Sequence, residues 1–195
     1  MKVQYFRGER IYFRPLEVSD VDRLVVWLND EDNWATLGRS NPINRLRERA
    51  FVEGLYQTPT DVTLGIAAQE GDALIGCCGL HGICPQARRA TFGLLIGDRA
   101  QQGLGLGSEA TQLAVRYGFE ELNLNRIELS VFAQNERGIR AYRNAGFVQE
   151  GRQRQAYYRN GRYHDVLQFG ILRSDWERMH TDDADAFARL ASMTT

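Results

Sequence analysis

A glycine-rich segment, Gln102 to Ala110, has the residue types needed to bind a phosphate group. It follows an apolar stretch that ends at Ile96 and precedes residues with helical periodicity. Glycine lets main-chain amides approach a ligand closely and tolerates positive φ angles. The first N–H groups of a helix have no partner inside the helix, and the helix dipole is positive there. The segment therefore predicts a phosphate or diphosphate site, to which the Ser108 hydroxyl could contribute.

Part of this segment, G-x-G-x-x-A at 105–110, also fits the dinucleotide-binding pattern of nicotinamide-dependent oxidoreductases. That fold expects an acidic residue at the end of the next strand, about 20 residues further on. The next predicted strand ends with Val-Phe-Ala-Gln at 131–134 and offers no carboxylate. An NAD(P)-binding oxidoreductase is therefore the weaker interpretation.

A second chemically suggestive segment runs from Asn135 to Phe147. Asn135 is a favourable helix N-cap, and Gly146 is a common helix stop. Tyr142 shares a helix face with Ile139, so its phenol could pack in a core or act as an acid. Spacing alone leaves both roles open.

Together the two segments, Gln-x-x-Gly-x-Gly and then Asn-(x)6-Tyr-(x)3-Gly-Phe, resemble the GNAT N-acetyltransferase superfamily. The most similar branches are the ribosomal-protein alanine acetyltransferases and the spermidine acetyltransferases. Three further segments support this likeness: Phe13–Leu16, Trp27–Asp30 and Gly161–Leu167. The resemblance extends from about Ile11 to Met179, which implies an acetyltransferase domain over residues 1–180 and a tail over 181–195.

The resemblance implies direct transfer of an acetyl group from acetyl-CoA to a primary amine, without a metal. Amides of the glycine loop would hold the coenzyme diphosphate, a splayed strand would pair with the pantetheine arm, and Tyr142 would protonate the departing thiolate. A phenol of pKa about 10 suits that task because its conjugate base resembles a thiolate in basicity. The residues implied to bind the coenzyme are Gly93, Leu94, Leu95, Gln102, Gly103, Leu104, Gly105, Leu106, Gly107, Ser108, Asn135 and Arg143.

The acceptor side departs from the family pattern, because Thr91 stands where related enzymes often carry glutamate. An α-amine of pKa roughly 8 needs little help, whereas a lysine-like amine of about 10.4 must be deprotonated by the site. Candidate bases are His81, Asp98, Glu70 and the acidic segment 30–32. The residues expected to bind the acceptor are Asp30, Glu31, Trp34 and His81. Each also has an ordinary structural role available to it, in a strand, a solvated loop or a loop anchor.

Three acceptors fit this reading: the N-terminus of a protein such as a ribosomal protein, a polyamine, and an aminoglycoside-like molecule. A non-catalytic acyl-CoA sensor is the alternative, although a pure binder has no need of Tyr142. Cys77 and Cys78 raise a second alternative, an acetyl-cysteine intermediate. The sequence places no histidine and acid to activate either thiol, so direct transfer is favoured. By analogy with relatives we expect a homodimer.

The composition excludes several other classes of protein. Lys2 is the only lysine, so a Schiff-base enzyme and a P-loop kinase would lack their required residue. A net charge of −1 gives no electrostatic signature of nucleic-acid binding. The chain contains no apolar run of about 18 residues and no signal-like N-terminus, which predicts a cytoplasmic protein without membrane contact. The cysteines and histidines show no metal-binding spacing.

The hydrophobic pattern predicts elements in the order β-α-α-β-β-β-α-β-α-β-β. Hairpins join some strands and helices join others. We therefore expect an α/β (α+β) fold, with a mixed sheet of about seven strands, about four flanking helices and a C-terminal helix. Residues 29–34 are predicted as an acidic loop, and the last two strands are placed near Phe147–Gln153 and Val166–Leu172.

Overall fold

Seven strands form one mixed sheet in the computed structural model, which describes residues 4–38 and 41–181. The strands are β1 (Ile11–Arg14), β2 (Val62–Ala68), β3 (Leu74–Cys84), β4 (Arg89–Ile96), β5 (Arg126–Phe132), β6 (Val148–Arg159) and β7 (Arg162–Leu172). Their spatial order is β1-β2-β3-β4-β5-β7-β6, and every pair is antiparallel except β4–β5. The predicted mixed sheet is confirmed.

The helices of the described residues are α1 (Val21–Leu28), α2 (Glu31–Leu37), α3 (Arg45–Gly54), α4 (Leu106–Glu120), α5 (Glu136–Asn144) and α6, which is helical from 173 to 181. None of these helices is both long enough and apolar enough to cross a bilayer. The predicted tail, beyond residue 181, lies outside the described residues, and the domain boundary at 180 stays a prediction.

Two hydrophobic clusters cover opposite faces of the sheet. The larger one joins α4 and α5 to the sheet and includes Phe92, Ala110 and Tyr142. The smaller one joins α1 and α3 to the other face and includes Leu24 and Leu95. Phe92 and Leu95 lie an odd number of residues apart on β4, so their side chains point to opposite faces.

The two parallel strands separate soon after they meet. Residues Arg89 to Thr91 of β4 pair with Arg126 to Glu128 of β5, and the pairing ends there. Both strands continue, so Gly93 and the residues after it have no partner on the β5 side. The splayed strand that the family resemblance implied is therefore present in the fold.

Two sequence-based assignments were wrong. Residues 29–34 are not a loop, because Asp30 caps α2 by accepting hydrogen bonds from the amides of Asp32 and Asn33. The last two strands are longer than predicted and meet at a two-residue turn, Asn160 and Gly161, both with positive φ. An acidic first turn and an Asn-Gly pair are recognised signals for these structures, and the apolar pattern concealed them.

Candidate active site

The glycine segment forms a loop that leads directly into α4. Gly103 has a φ of +80° and Gly105, the N-cap of α4, has a φ of +83°. Residues with a side chain rarely adopt this left-handed backbone conformation, so glycine is strongly favoured at both positions. Among the described residues, no acceptor takes a hydrogen bond from any main-chain amide between Gly103 and Gly107. Five successive amides are therefore available to an anion.

The side chains of the loop differ in how far they are buried. Leu106 is buried in the larger cluster, so it offers the loop only its main chain, whereas Leu104 is exposed. Arg10, which the sequence reasoning missed, donates from Nη1 to the Leu104 carbonyl at 2.8 Å and from Nε to Glu109 at 3.0 Å. This places a guanidinium next to the unpaired amides.

The side chain of Gln102 links three elements behind the loop through hydrogen bonds. Its Nε2 donates to the Ile96 carbonyl at 2.8 Å and to Asn33 Oδ1 at 3.3 Å, and its Oε1 accepts from Arg137 at 3.2 Å. The side chain thereby ties the end of β4 to α2 and α5. Gln102 is expected to bind coenzyme, and the structure gives it a positioning role as well.

Tyr142 packs beside the gap between β4 and β5. Its ring meets Phe92 and Phe147 edge-on, with centroid distances of 6.3 and 6.1 Å. Burial raises the pKa of Tyr142 to about 12, which keeps the phenol protonated at neutral pH. Among the described residues its hydroxyl has no hydrogen-bond partner. The pKa lies above the value of about 10 expected from sequence, so position rather than acidity favours this residue as the proton donor.

The other residues assigned to coenzyme on α5 have structural contacts. Asn135 caps the helix by accepting a hydrogen bond from Gly138 N–H at 3.0 Å. Its side-chain NH₂ group therefore remains the donor that a pantetheine arm could use. Arg143 lies with its guanidinium 5.9 Å from the centre of the Phe169 ring. The contact of Arg143 with the coenzyme stays a prediction. Arg137, also on α5, is the arginine that hydrogen-bonds to Gln102.

Three of the four residues expected to bind the acceptor belong to α2 or to its N-cap. Asp30 caps α2 and makes a two-oxygen ion pair with Arg99, whose hydrogen bonds lower the pKa of Asp30. Trp34 donates its ring N–H to the Leu28 carbonyl. Glu31 is exposed. None of the three lines the cavity described next, whereas His81 does.

A cavity of about 430 Å³ lies between α1, α3 and the strands β3 and β4. Most of its lining is apolar, from residues such as Leu24 and Phe51, and Gly93 to Leu95 form part of its floor. Its polar lining includes Glu48, which is only 4% exposed. The sequence carried a signal for Glu48, because it shares a helix face with buried Val52, one turn later.

The other candidate nucleophiles and bases lie elsewhere or are protonated. Asp98 caps a short 3₁₀ turn by accepting from Ala100 N–H, and Glu70 lies in the β2–β3 turn. Burial raises the pKa of Cys77 to about 12 and that of Cys78 also rises. Thiolates are therefore scarce at neutral pH, which argues against an acetyl-cysteine intermediate. The described residues contain no cluster of three or more potential metal ligands.

Comparison with known proteins gives consistent matches. Residues 10–148 match the family model of the Acetyltransferase (GNAT) domain. YjcK of Bacillus subtilis, named as a probable N-acetyltransferase, is 31% identical over 185 residues, covering 88% of this chain and 99% of that protein. The spermidine N(1)-acetyltransferase of Escherichia coli is 37% identical over 93 residues, 48% of this chain and 50% of that protein.

A solved structure of spermidine N-acetyltransferase from Vibrio cholerae, in complex with CoA and spermine, superposes with a TM-score of 0.81. It is 25% identical, and the match covers 87% of this chain and 99% of that one. This chain belongs to the GNAT acetyltransferase family. It is an acetyl-CoA-dependent N-acetyltransferase that transfers an acetyl group to an amine, as the sequence predicted. The oxidoreductase and sensor alternatives are therefore wrong.

The site of this acetyltransferase fits its co-substrate in three places. The five amides from Gly103 to Gly107 suit a diphosphate, because they offer N–H donors at a helix N-terminus. The unpaired side of β4 offers main-chain groups to an extended amide-bearing arm. Tyr142 lies beside the same gap with an unused hydroxyl.

Proposed function

We propose that the acceptor of this acetyltransferase is a small primary amine that enters the cavity between α1, α3 and β3–β4. The observation that carries the proposal is that Gly93 to Leu95 border both the cavity and the gap between β4 and β5. An amine in the cavity and a thioester in the gap would therefore meet at the same strand segment.

The dimensions and lining of the cavity support a small molecule. Its volume of about 430 Å³ lies within the range of roughly 300–1,000 Å³ that is typical of small-molecule sites. The lining combines the carboxylate of Glu48 and the guanidinium of Arg47 with largely apolar side chains, which suits an amine with an aliphatic body. The relative solved with spermine binds an amine of this chemistry.

The roles proposed for the residues follow from their positions. Acetyl-CoA supplies the acetyl group as a thioester. The amides of Gly103 to Gly107 bind its diphosphate, and the main chain of Gly93 to Leu95 aligns the pantetheine arm and polarises the carbonyl group. Tyr142 donates its proton to the departing sulfur, because its phenol is protonated at neutral pH and lies beside the gap.

Mass spectrometry of acetylated products tests the acceptor class. The protein and acetyl-CoA are incubated with spermine, with kanamycin and with a tripeptide whose N-terminal residue is alanine. We expect acetylation of spermine or kanamycin with a kcat/KM at least tenfold above that of the tripeptide. Preferred acetylation of the tripeptide would contradict the proposal and favour a protein N-terminus. The homodimer and the cytoplasmic location stay predictions.

A further inference from the structure

We propose that His81 removes the proton from the acceptor's ammonium group and that Asp61 positions the His81 ring. The proposal rests on the proposed function, since it concerns an amine bound in the same cavity. It assigns the base that neither the sequence motifs nor the family match identifies, and it gives a role to a second residue, Asp61, that no motif pointed to.

The His81 ring lies over two glycines at the floor of the cavity. Gly79 and Gly93 are paired across β3 and β4. A Cβ atom built on Gly79 would lie 2.6 Å from His81 Nε2, and one built on Gly93 would lie 3.8 Å from it. The absence of a side chain at position 79 therefore lets the ring lie along the strands. It brings Nε2 to the segment where the acceptor and thioester are proposed to meet.

The other ring nitrogen faces Asp61. His81 Nδ1 lies 3.9 Å from Asp61 Oδ1, too long for a hydrogen bond but within ion-pair range. Asp61 is itself held in place, because its Oδ1 accepts a hydrogen bond from Gly82 N–H at 2.7 Å. A carboxylate on this side favours a proton on Nδ1, which leaves the Nε2 lone pair directed at the cavity.

Other charged or titratable groups around His81 belong to α3 and β3. Glu48 and Arg47 line the same cavity from α3, and their opposite charges offset one another in part. Cys77 lines it from β3 as a protonated thiol, and Thr91 of β4, directly opposite His81, carries no charge. Asp61 Oδ1 lies within ion-pair range of the ring.

The reaction must release one proton to solvent. A bond forms between the amine nitrogen and the carbonyl carbon while the carbon–sulfur bond breaks. An ammonium group gives up two protons on becoming an amide. His81 takes the first at Nε2 and releases it to solvent, since 45% of its side-chain surface is exposed. Tyr142 donates its proton to the departing sulfur. The second proton of the nitrogen then passes to Tyr142 and restores its phenol.

Enzyme kinetics against pH test the assignment, with the acceptor that the product screen identifies among spermine, kanamycin and the tripeptide. In His81→Gln we expect kcat/KM near neutral pH to fall about 100-fold, the lower end of general-base contributions. The fall of kcat/KM that the parent shows toward acidic pH, its acidic limb, should be lost in this variant. The activity of the variant should instead rise with pH up to the pKa of the amine. CoA affinity, measured by calorimetry, should stay within twofold. His164→Gln, a change on β7, serves as the matched control.

Two further readouts separate base catalysis from a structural role. Nitrogen NMR of the parent should show the neutral His81 ring protonated at Nδ1. Asp61→Asn, which keeps the Oδ1 acceptor for Gly82, should shift this tautomer balance and lower kcat/KM about tenfold, with Asp61→Glu recovering most of it. A proton resident on Nε2 would overturn the proposal.

The outcomes distinguish this proposal from the proposed function. An active parent whose His81→Gln variant keeps its rate and its acidic limb would overturn the base assignment alone. Loss of the acidic limb in Glu48→Gln but not in His81→Gln would assign the base to Glu48 instead. A parent that acetylates none of the three amines would overturn the proposed function, and this inference with it.

Discussion

The two faces of the sheet build their sites in different ways. On the α4 face, one continuous segment, Gly103 to Gly107, provides five main-chain amides, and a buried aromatic cluster holds Tyr142 against two phenylalanine rings. On the α1–α3 face, the polar residues of the cavity come from separate elements. Glu48 lies on α3, Thr63 on β2 and His81 on β3. The coenzyme side thus depends on backbone geometry, and the acceptor side depends on side chains that meet through tertiary folding.

This difference has a functional consequence. Backbone amides offer the same hydrogen bonds whatever the side chains are, so the α4 face suits a co-substrate shared by many enzymes. Side chains in a cavity can be exchanged without altering the sheet, so the α1–α3 face suits an acceptor that varies. Substitutions should therefore separate into those that affect coenzyme binding or chemistry and those that affect acceptor binding.

The largest effect is expected from removing the phenol of Tyr142. Tyr142→Phe should lower kcat about 1,000-fold, within the range of general acid catalysis. CoA affinity should stay within twofold, since the ring contacts with Phe92 and Phe147 remain. Steady-state kinetics and calorimetry measure the two quantities.

Tyr117→Phe is the matched control, because burial also raises the pKa of Tyr117 to about 12 and the residue lies in the same cluster. We expect it to keep the parent's kcat. If Tyr142→Phe acetylates as fast as Tyr117→Phe at neutral pH, the phenol is not the acid and the α4 face only binds.

The next effect concerns the loop backbone. In Gly105→Val a β-branched side chain would occupy a position with a φ of +83°, at the N-cap of α4. We expect CoA binding to weaken at least 100-fold, or about 2.7 kcal/mol, because the amides would be displaced and the phosphate path filled.

Gly71→Val is the control for backbone strain. Gly71 has a φ of +73° in the β2–β3 turn, and a Cβ there would have open space. Both variants should lose comparable stability, about 1–2 kcal/mol. Only Gly105→Val should lose CoA binding, and equal CoA affinity in the two folded variants would remove the loop from the coenzyme site.

A third effect tests what stabilises the acceptor face. Asp20 makes a two-bond ion pair with Arg14 at 2.7 and 2.8 Å, and both side chains are largely buried. Asp20→Asn should lower the free energy of unfolding by about 2 kcal/mol, less than the 3–5 kcal/mol of a fully sealed pair. Asp22→Asn should leave it unchanged, because the Asp22–Arg45 pair is exposed.

The pKa of Asp20 predicts how the stability difference between the parent and Asp20→Asn changes with pH. Burial alone would raise the pKa of Asp20, but hydrogen bonds from Arg14 and from Glu17 N–H outweigh it and lower the pKa. A lowered pKa in the folded protein adds stability above the ordinary value, about 3.9, and that stability is lost as the pH falls further. The parent and Asp20→Asn should therefore converge below pH about 3.9 in urea unfolding. A constant difference down to the most acidic pH would contradict this.

The α4 face could be predicted from sequence because its signals are local. Strand β5 ends at Phe132, within the Val-Phe-Ala-Gln stretch that was predicted to close it. The glycine segment indicated both the loop and the helix. Helix α4 begins at Leu106, because the positive φ of Gly103 and Gly105 keeps it from starting earlier. The backbone conformation that a single residue favours can be predicted from its type.

The α1–α3 face was less predictable because its geometry depends on distant partners. Asp30 was expected to bind the acceptor, and nothing in the sequence indicated its ion pair with Arg99, far along the chain. Glu48 was not among the predicted site residues, and its burial places it in the cavity wall. His81 was proposed from its type, but its relation to Asp61 and Gly79 arises only when β2, β3 and β4 pair.

The smallest of the four effects would sharpen the comparison most. Glu48→Gln keeps the size of the side chain and removes its charge from the cavity wall. We expect KM for a cationic acceptor such as spermine to rise about tenfold, or about 1.4 kcal/mol, with CoA affinity and kcat nearly unchanged. Glu53→Gln, at an exposed position five residues further along α3, is the control. A fall in kcat without a change in KM would mean that Glu48 acts in the chemistry, and the division between a shared coenzyme face and a selective acceptor face would have to be redrawn.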